Sequence, residues 1–270
     1  MIDLSRHSGL PISWDRSGEK LVFGEGLLEV KPDIRCREEM AEVLYEPRAM
    51  DLKELYFMYR EVARREEREE IRRRGLRYDI TVIKPGLLGS EYIKTAGHYH
   101  PFKPGTGLTY PEVYEVLYGR GHYLLQCPSP DGRDRLEQIY LMTAGAGEKV
   151  LVPPGFGHIT INAEDDLLIM SNWVAADFAS VYEPMRSMEG GGYFGLRIDG
   201  RIEFVPNSRY RQLPPLQRAS GFSFAGLSLV EGMPIYQVYQ KDPGALDYLV
   251  DPENYREQFA AYLALVYPDD

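Results

Sequence analysis

Short runs of strand-forming residues, separated by turn-forming ones, dominate the chain between Arg77 and Val205. The runs are rich in Val, Ile, Tyr and Leu, and clusters of Gly, Pro and Asp punctuate them. Many short strands with turns between them favour a sandwich or barrel over alternating strand and helix units. We therefore predict a mainly β fold with strands at 78–84, 91–95, 112–118, 121–126, 135–141, 147–152, 158–163, 166–173, 193–198 and 201–205.

The segment 51–74, which precedes these strands, carries a helical pattern. Apolar residues fall at helical spacing, Asp51 can cap the first turn, and Gly75 can end the last. Acidic and basic side chains interleave in its second half, which is typical of a solvated helix face rather than a nucleic-acid surface. The pattern predicts a flanking helix near 51–74.

The chain after Val205 shows weaker patterns. We predict edge strands or arms at 223–230 and 235–239. Asp251 and Pro252 have the chemistry of a helix start, and an apolar stripe follows them. A second flanking helix is therefore predicted near 252–266, with a face that packs on the barrel or on a partner subunit and comprises Tyr255, Phe259, Tyr262, Leu263 and Val266.

The chain reads as one domain over 1–270, because no flexible linker or repeat divides it. Its core is predicted at 45–205, with an N-terminal extension at 1–44 and a C-terminal extension at 207–270. Cys36 and Cys127 are too few and too isolated for a disulfide framework.

The charge balance limits the partners of the chain. It has 41 acidic and 31 basic residues, a formal charge of -10, which gives no general field for nucleic acid or an anionic membrane. No apolar run approaches the roughly 20 residues that span a bilayer, and the N-terminus lacks the pattern of a secretory signal. We expect a cytoplasmic protein that binds neither nucleic acid nor membrane.

Three of the five histidines lie in two short segments beside turn-forming residues. His98 and His100 are two residues apart, so on a strand they project from the same face. Glu112 opens the next predicted strand, and His158 follows a Pro-Pro-Gly turn. A lone histidine is more often a core or turn residue, but three imidazoles and a carboxylate together favour a divalent metal with open coordination positions, as in a catalytic site.

The two segments resemble the two defining motifs of the cupin family. The first runs through Gly97-His98-x-His100, Glu112 and Gly119, and the second through Gly147, Pro153-x-Gly155, His158 and Asn162. The resemblance implies a cupin (germin-like) β-barrel or jelly roll, with His98, His100, Glu112 and His158 as metal ligands. One departure is the stretch 101–111 between His100 and Glu112, which is several residues longer than the motif and is expected to alter the pocket mouth.

A more specific resemblance covers about residues 45 to 205. Lys94-Thr95-Ala96-Gly97-His98-Tyr99-His100 and its flanking segments resemble the archaeal-type, cupin phosphoglucose isomerases. This implies interconversion of glucose 6-phosphate and fructose 6-phosphate, a step of glycolysis and gluconeogenesis, by a homodimer with one divalent metal ion per subunit. Iron (Fe²⁺) is the ion that the resemblance implies, with Mn²⁺, Ni²⁺ and Zn²⁺ as alternatives.

The same resemblance implies the remaining site residues. Glu112 and Tyr114 would be catalytic, and the phosphate would contact Thr81, Thr95 and the backbone of Gly97, which offer hydroxyl and amide donors. Further substrate contacts are implied for Tyr56, Tyr114 and Tyr182. Ser180 stands where family members can carry a histidine, so a proton shuttle there does not carry over. Proton abstraction by Glu112 and a metal-assisted hydride shift both stay open.

Two other interpretations use the same residues. The chain could be another cupin metalloenzyme, a sugar epimerase or a dioxygenase, or it could be a non-catalytic cupin that binds a sugar phosphate. Thr81 and Thr95 speak against an oxygenase, which needs no phosphate site.

Overall fold

The computed structural model describes residues 1–49, 52–220 and 223–266. Along them the chain forms mostly short strands. Their bounds are β1 (Ile2–Asp3), β2 (Ile12–Asp15), β3 (Lys20–Phe23), β4 (Asp33–Cys36), β5 (Glu54–Tyr59), β6 (Leu76–Ile83), β7 (Leu87–Leu88), β8 (Glu91–Tyr92), β9 (Glu112–Tyr118), β10 (Arg120–Ser129), β11 (Gly132–Gly145), β12 (Lys149–Val152), β13 (Gly157–Ile161), β14 (Leu168–Ala175), β15 (Tyr193–Ile198), β16 (Arg201–Pro206) and β17 (Gln217–Ser220).

The helices are short. They are α1 (Ser5–Ser8), α2 (Arg37–Met40), α3 (Arg68–Arg73), α4 (Glu183–Ser187), α5 (Ile235–Lys241) and α6 (Arg256–Val266), with 3₁₀ turns at Ala41–Val43, Ala225–Leu227, Pro243–Leu249 and Pro252–Tyr255. Strand residues make up 41% and helical residues 21%, so the prediction of a mainly β fold is confirmed. Within the described stretches, no helix is long and apolar enough to cross a membrane.

Two facing sheets form the barrel. The larger has the strand order β12-β9-β14-β6-β5-β4, and the smaller has the order β13-β10-β11-β17. The fully buried Tyr123 of β10 joins them, because its ring centroid lies 5.5 Å from that of Tyr114 on β9 and its hydroxyl donates to Met170 on β14. This arrangement is the cupin barrel that the two motifs predict.

Both terminal extensions pack against the larger sheet. The ring centroid of Trp14 lies 5.9 Å from that of Phe57 on β5, and that of Tyr239 on α5 lies 4.9 Å from Trp173 on β14. Smaller sheets, β1-β2-β3 and β16-β15-β8-β7, flank the barrel. The organisation into one domain stays a prediction.

The ten strands predicted between 78 and 205 all have counterparts. The predicted bounds 112–118 and 193–198 coincide with β9 and β15. The weakest match is 91–95, where β8 covers Glu91–Tyr92 and a single bridge joins Lys94 to Ile161.

The helix predicted over 51–74 is mostly wrong. Glu54–Tyr59 is strand β5, which pairs with β4 and β6, and the helix is confined to Arg68–Arg73 before Gly75 at φ 68°. β5 is covered on both faces, since Phe57 packs on the N-terminal extension while Tyr56 lines the barrel cavity. The alternation of polar and apolar residues that marks a half-buried strand is therefore missing. The capping residue Asp51 lies outside the described residues.

The edge strands predicted beyond Val205 are also wrong. Segment 235–239 belongs to helix α5, whose Ile235, Val238 and Tyr239 are buried. Their spacing of three and four residues is that of a helix face. Segment 223–230 forms a 3₁₀ turn closed by a bridge from Phe224 to Leu229.

The C-terminal helix is confirmed as α6, which a 3₁₀ turn at Pro252–Tyr255 precedes. Phe259, Tyr262 and Val266 of the predicted stripe are buried. Asp251 makes no capping hydrogen bond but accepts one from Lys103 instead.

Candidate metal centre

Four predicted ligands converge between the two sheets. His98 and His100 lie on the segment after β8, Glu112 is the first residue of β9, and His158 lies on β13. One donor atom from each falls within 4.8 Å of all the others. Nε2 of His100 lies 3.3 Å from Nε2 of His98 and 3.3 Å from Oε2 of Glu112, which is 3.2 Å from Nε2 of His158.

Main-chain hydrogen bonds fix two of these ligands against each other. The amide of His98 donates to the carbonyl of His158 at 3.2 Å, and the amide of His158 donates to the carbonyl of His98 at 3.0 Å. Gly97 makes this close approach possible, because it adopts φ +75° and a Cβ there would lie 2.5 Å from Cγ1 of Ile159. A side chain at position 97 would separate the two segments that carry these histidines.

The donor set fits a divalent cation. Oε2 of Glu112 is buried and has no hydrogen-bond partner among the described residues. A buried anionic oxygen without a donor is costly unless a cation compensates it. Imidazole nitrogens and a carboxylate oxygen are also the donors that first-row divalent metals take in catalytic sites. The cluster could therefore bind such an ion.

The electrostatics of the cluster keep these donors in the forms that bind metals. Burial, with smaller contributions from the neighbouring imidazoles of His158 and His100, lowers the pKa of His98 well below its ordinary value. Burial alone would raise the pKa of Glu112, but the proximity of His100 and His158 outweighs it and holds this pKa well below its usual range. A neutral imidazole and an ionised carboxylate are the ligating species.

Neighbouring groups orient two of the imidazoles. Nδ1 of His100 lies 2.8 Å from the carbonyl oxygen of Tyr110, which can only accept, so this nitrogen carries the proton and Nε2 is left as the donor to a metal. The ring of Phe178 packs against the imidazole of His100 and the phenol ring of Tyr110, with centroid distances of 4.6 Å and 5.2 Å. The hydroxyl of Tyr114 lies 2.9 Å from Nε2 of His158.

The long stretch between His100 and Glu112 contributes no residue to the cavity lining, and its expected effect on the pocket mouth stays a prediction. It folds as a hairpin, in which a bridge joins Phe102 to Thr109. Thr109 accepts a hydrogen bond from the amide of Gly155 at 2.7 Å, in the turn that leads to His158. The stretch thus supports the ligands from outside the cavity.

The predicted site residues lie together. One cavity is lined by the four candidate ligands and by all the other residues predicted to contact substrate, namely Tyr56, Thr81, Thr95, Gly97, Tyr114 and Tyr182. Lys94, the residue before Thr95, does not line this cavity, and its buried ammonium lies 2.5 Å from Glu91. His122 is outside the four-donor group and contacts Thr143. The roles of the lining residues stay predictions.

Several lining residues were not predicted from the sequence, notably Arg60, Arg77, Asp79, Asn172 and Phe178. Arg77 and Asp79 precede Thr81 on β6 at intervals of two residues, so strand parity places all three on one face. The parity of the strand that places Thr81 at the site thus places Arg77 and Asp79 there as well. The sequence does not reveal Arg60, because the strand before it carries a helical pattern.

Comparison with known proteins gives a family match over most of the chain. The model of the family described as glucose-6-phosphate isomerase matches residues 35–210. A glucose-6-phosphate isomerase of Pyrococcus furiosus is 29% identical over 199 residues, which cover 72% of this chain and 97% of that protein. The enzyme of the same name from Thermococcus litoralis is 28% identical over 201 residues, with coverage of 72% and 96%.

Solved structures similar to this one include an oxalate oxidase and an oxalate decarboxylase. An oxalate oxidase in complex with the substrate analogue glycolate has a TM-score of 0.31 and 19% identity, covering 41% of this chain and 47% of that one. A mutant of the Bacillus subtilis oxalate decarboxylase has a TM-score of 0.34 and 18% identity, covering 48% and 29%.

Proposed function

The chain belongs to the glucose-6-phosphate isomerase family, and we propose that it interconverts glucose 6-phosphate and fructose 6-phosphate at a divalent metal held by His98, His100, Glu112 and His158. The observation that carries the proposal is the position of this group in a cavity whose walls also present the hydroxyls of Thr81 and Thr95. A metal centre beside neutral donors for a phosphate is what an aldose-ketose isomerase of phosphosugars needs.

The reaction moves hydrogen between C1 and C2 of the sugar and between the oxygens on these carbons. A divalent ion bound in the centre would polarise the carbonyl and stabilise the negative charge that develops on both oxygens. The cavity residues then have to orient the sugar and move protons.

Tyr114 is the candidate proton donor to the substrate oxygens. Burial, reinforced by the charge of Glu112, raises the pKa of Tyr114 well above its usual value, so its hydroxyl stays protonated. Glu112 suits ligation better than proton abstraction, because general bases work best with a pKa near the working pH and its pKa is held low. Retention or loss of deuterium placed at C2 would decide between hydride shift and proton exchange.

The phosphate would contact Thr81, Thr95 and the backbone of Gly97. Oγ1 of Thr95 accepts a hydrogen bond from the amide of Thr160 at 2.9 Å, which leaves its O–H free to donate to a phosphate oxygen. The hydroxyl of Tyr56 accepts from the amide of Ala96 at 3.3 Å and donates to the sulfur of Met40 at 4.0 Å, a weak bond with which a substrate oxygen in the cavity would compete. Tyr182 lines the same space and would bound the sugar.

The metal ion, the oligomeric state, the location and the metabolic role are proposed from the family resemblance. Fe²⁺ is our candidate for the ion, since three imidazoles and one carboxylate suit it, although Mn²⁺, Ni²⁺ and Zn²⁺ accept the same donors. We also propose a cytoplasmic homodimer that acts in glycolysis and gluconeogenesis.

A coupled assay tests the proposal. Purified protein loaded with Fe²⁺ is given fructose 6-phosphate, and glucose 6-phosphate is detected through its NADP-dependent oxidation. We expect turnover that a chelator abolishes and that added Fe²⁺ restores. Oxygen uptake or an epimeric sugar would instead identify a different cupin enzyme, and binding of fructose 6-phosphate without turnover would identify a binding protein.

A further inference from the structure

We infer that Arg60 and Arg77, braced on Asp79, form the charged part of the phosphate site and select phosphorylated ligands in this cavity. The identity of the substrate rests on the proposed function, whereas the recognition of a phosphate dianion rests on the arrangement of these side chains. Apart from the metal ligands, the predicted site contained hydroxyls and a backbone amide and no cationic side chain.

Both guanidinium groups meet at one carboxylate inside the cavity. Nε of Arg77 donates to Oδ2 of Asp79 at 2.8 Å, and Nη1 of Arg60 lies 3.5 Å from the same oxygen. Oδ1 of Asp79 accepts from the amide of Glu61 at 2.9 Å, so the carboxylate that holds the arginines is itself fixed. Asp79 is only 5% exposed at its side chain, which makes it a rigid brace.

The ion pairs with Asp79 leave N–H donors of both guanidinium groups available to a ligand. Arg77 uses Nε for Asp79, and its two terminal nitrogens have no hydrogen bond within the described part of the chain. The other contacts of Arg60 are 3.2 Å to the exposed Asp33 and 3.5 Å to the sulfur of Met58. A phosphate forms shorter, charge-assisted bonds with guanidinium groups, so it would compete well for these donors.

The arginines lie next to the predicted phosphate contacts. Asp79 and Thr81 are two residues apart on β6 and face the same side, which separates them by roughly 6–7 Å, about the width of a phosphate group. Arg60 follows directly after β5, whose Tyr59 pairs with Ile80, so it sits beside Asp79. Guanidinium and hydroxyl donors can therefore approach one phosphate from two sides.

The net charge of the chain favours a phosphate site that includes cationic side chains. The chain carries a formal charge of -10, which repels a phosphosugar at long range. Within the cavity lining, Arg60 and Arg77 outnumber Asp79 by one positive charge, because Asp33, the other ion-pair partner of Arg60, is 70% exposed and lies outside the lining. The pair thus provides the local attraction that the surface of the protein lacks.

Substitution of the two arginines tests the inference by two independent readouts. In the Fe²⁺-loaded protein, we expect Arg60→Met and Arg77→Met each to weaken the binding of inorganic phosphate, measured calorimetrically, by about tenfold, or about 1.4 kcal/mol. The KM for fructose 6-phosphate should rise to a similar extent, while kcat falls much less. Arg77→Lys should lose part of the affinity, because it keeps the charge without the fork of donors.

Arg74→Met is the matched control, since Arg74 is also a partly exposed arginine in an ion pair, with Asp247, but lies outside the cavity. Unchanged phosphate affinity in both cavity variants would overturn the inference even if isomerase activity is present. Phosphate binding that depends on the arginines would support it even if the isomerase assay is negative. If Arg77→Met fails to fold, Arg60→Met and Arg77→Lys still decide the question.

Discussion

At the scale of single residues, Glu112 supplies the negative charge of the candidate metal centre. It is the one carboxylate in the four-donor group of the described chain, and its Oε2 lies within 3.3 Å of two imidazole nitrogens. Its negative charge would offset part of the charge of a bound divalent ion and leave the centre near +1. We therefore expect this residue to influence both the retention of metal and the attraction of an anionic substrate.

Replacement of Glu112 by Gln keeps the shape of the side chain and removes the charge. We expect the metal content after dialysis to fall and the isomerase activity to drop on the order of 100-fold or more, because charge stabilisation in the transition state depends on the centre. Metal analysis and the coupled assay measure the two effects. Glu203→Gln, at an exposed position on β16, is the control. A Glu112→Gln protein with full metal content and full activity would contradict the assignment of Glu112 as a metal ligand.

At the scale of elements, the C-terminal segment supports the metal centre through the hairpin at 101–111. Nζ of Lys103 donates to Asp251 and to Glu253, each at 2.6 Å. Nη2 of Arg256 donates to the carbonyl of Thr106 at 2.7 Å. The same hairpin provides the carbonyl that orients His100, so the end of the chain is linked to a ligand more than 100 residues earlier.

Lys103→Met should loosen this hairpin without removing any ligand. We expect faster hydrogen exchange across 101–111 and a fall in kcat/KM of about 2- to 10-fold, less than the roughly 10- to 100-fold typical of groups that contact a metal ligand directly, because Lys103 acts through the hairpin. Lys31→Met, at an exposed lysine of the N-terminal extension, controls for loss of charge. Exchange rates equal to those of the unsubstituted protein would show that the ion pairs do not hold the hairpin.

Elements were predictable where the local pattern agrees with the tertiary surroundings. β9 and β15 have the predicted bounds. The four residues of the donor group were also predictable, because they lie at characteristic spacings within two short segments. β5 was missed because both of its faces are covered, one of them by residues far away in the sequence. The partnership of Arg60 with Asp79 depends on that strand pairing, so no local pattern could have revealed it.

At the scale of the whole molecule, the packing of the smaller sheet makes stability depend on pH. His122 lies on β10, contacts Thr143 on β11 at 3.1 Å, and has its ring centroid 6.2 Å from that of Phe204 on β16. Burial, together with the positive charges of Arg120 and Arg218, lowers the pKa of His122 to about 4. The folded protein therefore holds this imidazole neutral well below the pH at which a free histidine is protonated.

The sign of the effect follows from this lowered pKa. The unfolded chain protonates His122 below about pH 6.5 while the folded chain does not, so its contribution to stability is complete above pH 6.5 and is lost as the pH falls towards 4. Between pH 7 and 4.5 we expect a loss of about 2 kcal/mol from this residue. Urea unfolding of the protein and of His122→Gln at both pH values measures it, and an equal loss in the two proteins would contradict the prediction.

The paired main-chain hydrogen bonds between His98 and His158 have a consequence for how such a protein can diversify. Two ligands from distant parts of the chain arrive in register because the backbone places them, and no side chain of the cavity wall is needed to do so. Substitutions at wall positions such as Arg60, Arg77 or Ser180 can then accumulate without disturbing the centre. Ligand preference could then change in the course of evolution while the candidate metal centre keeps its geometry.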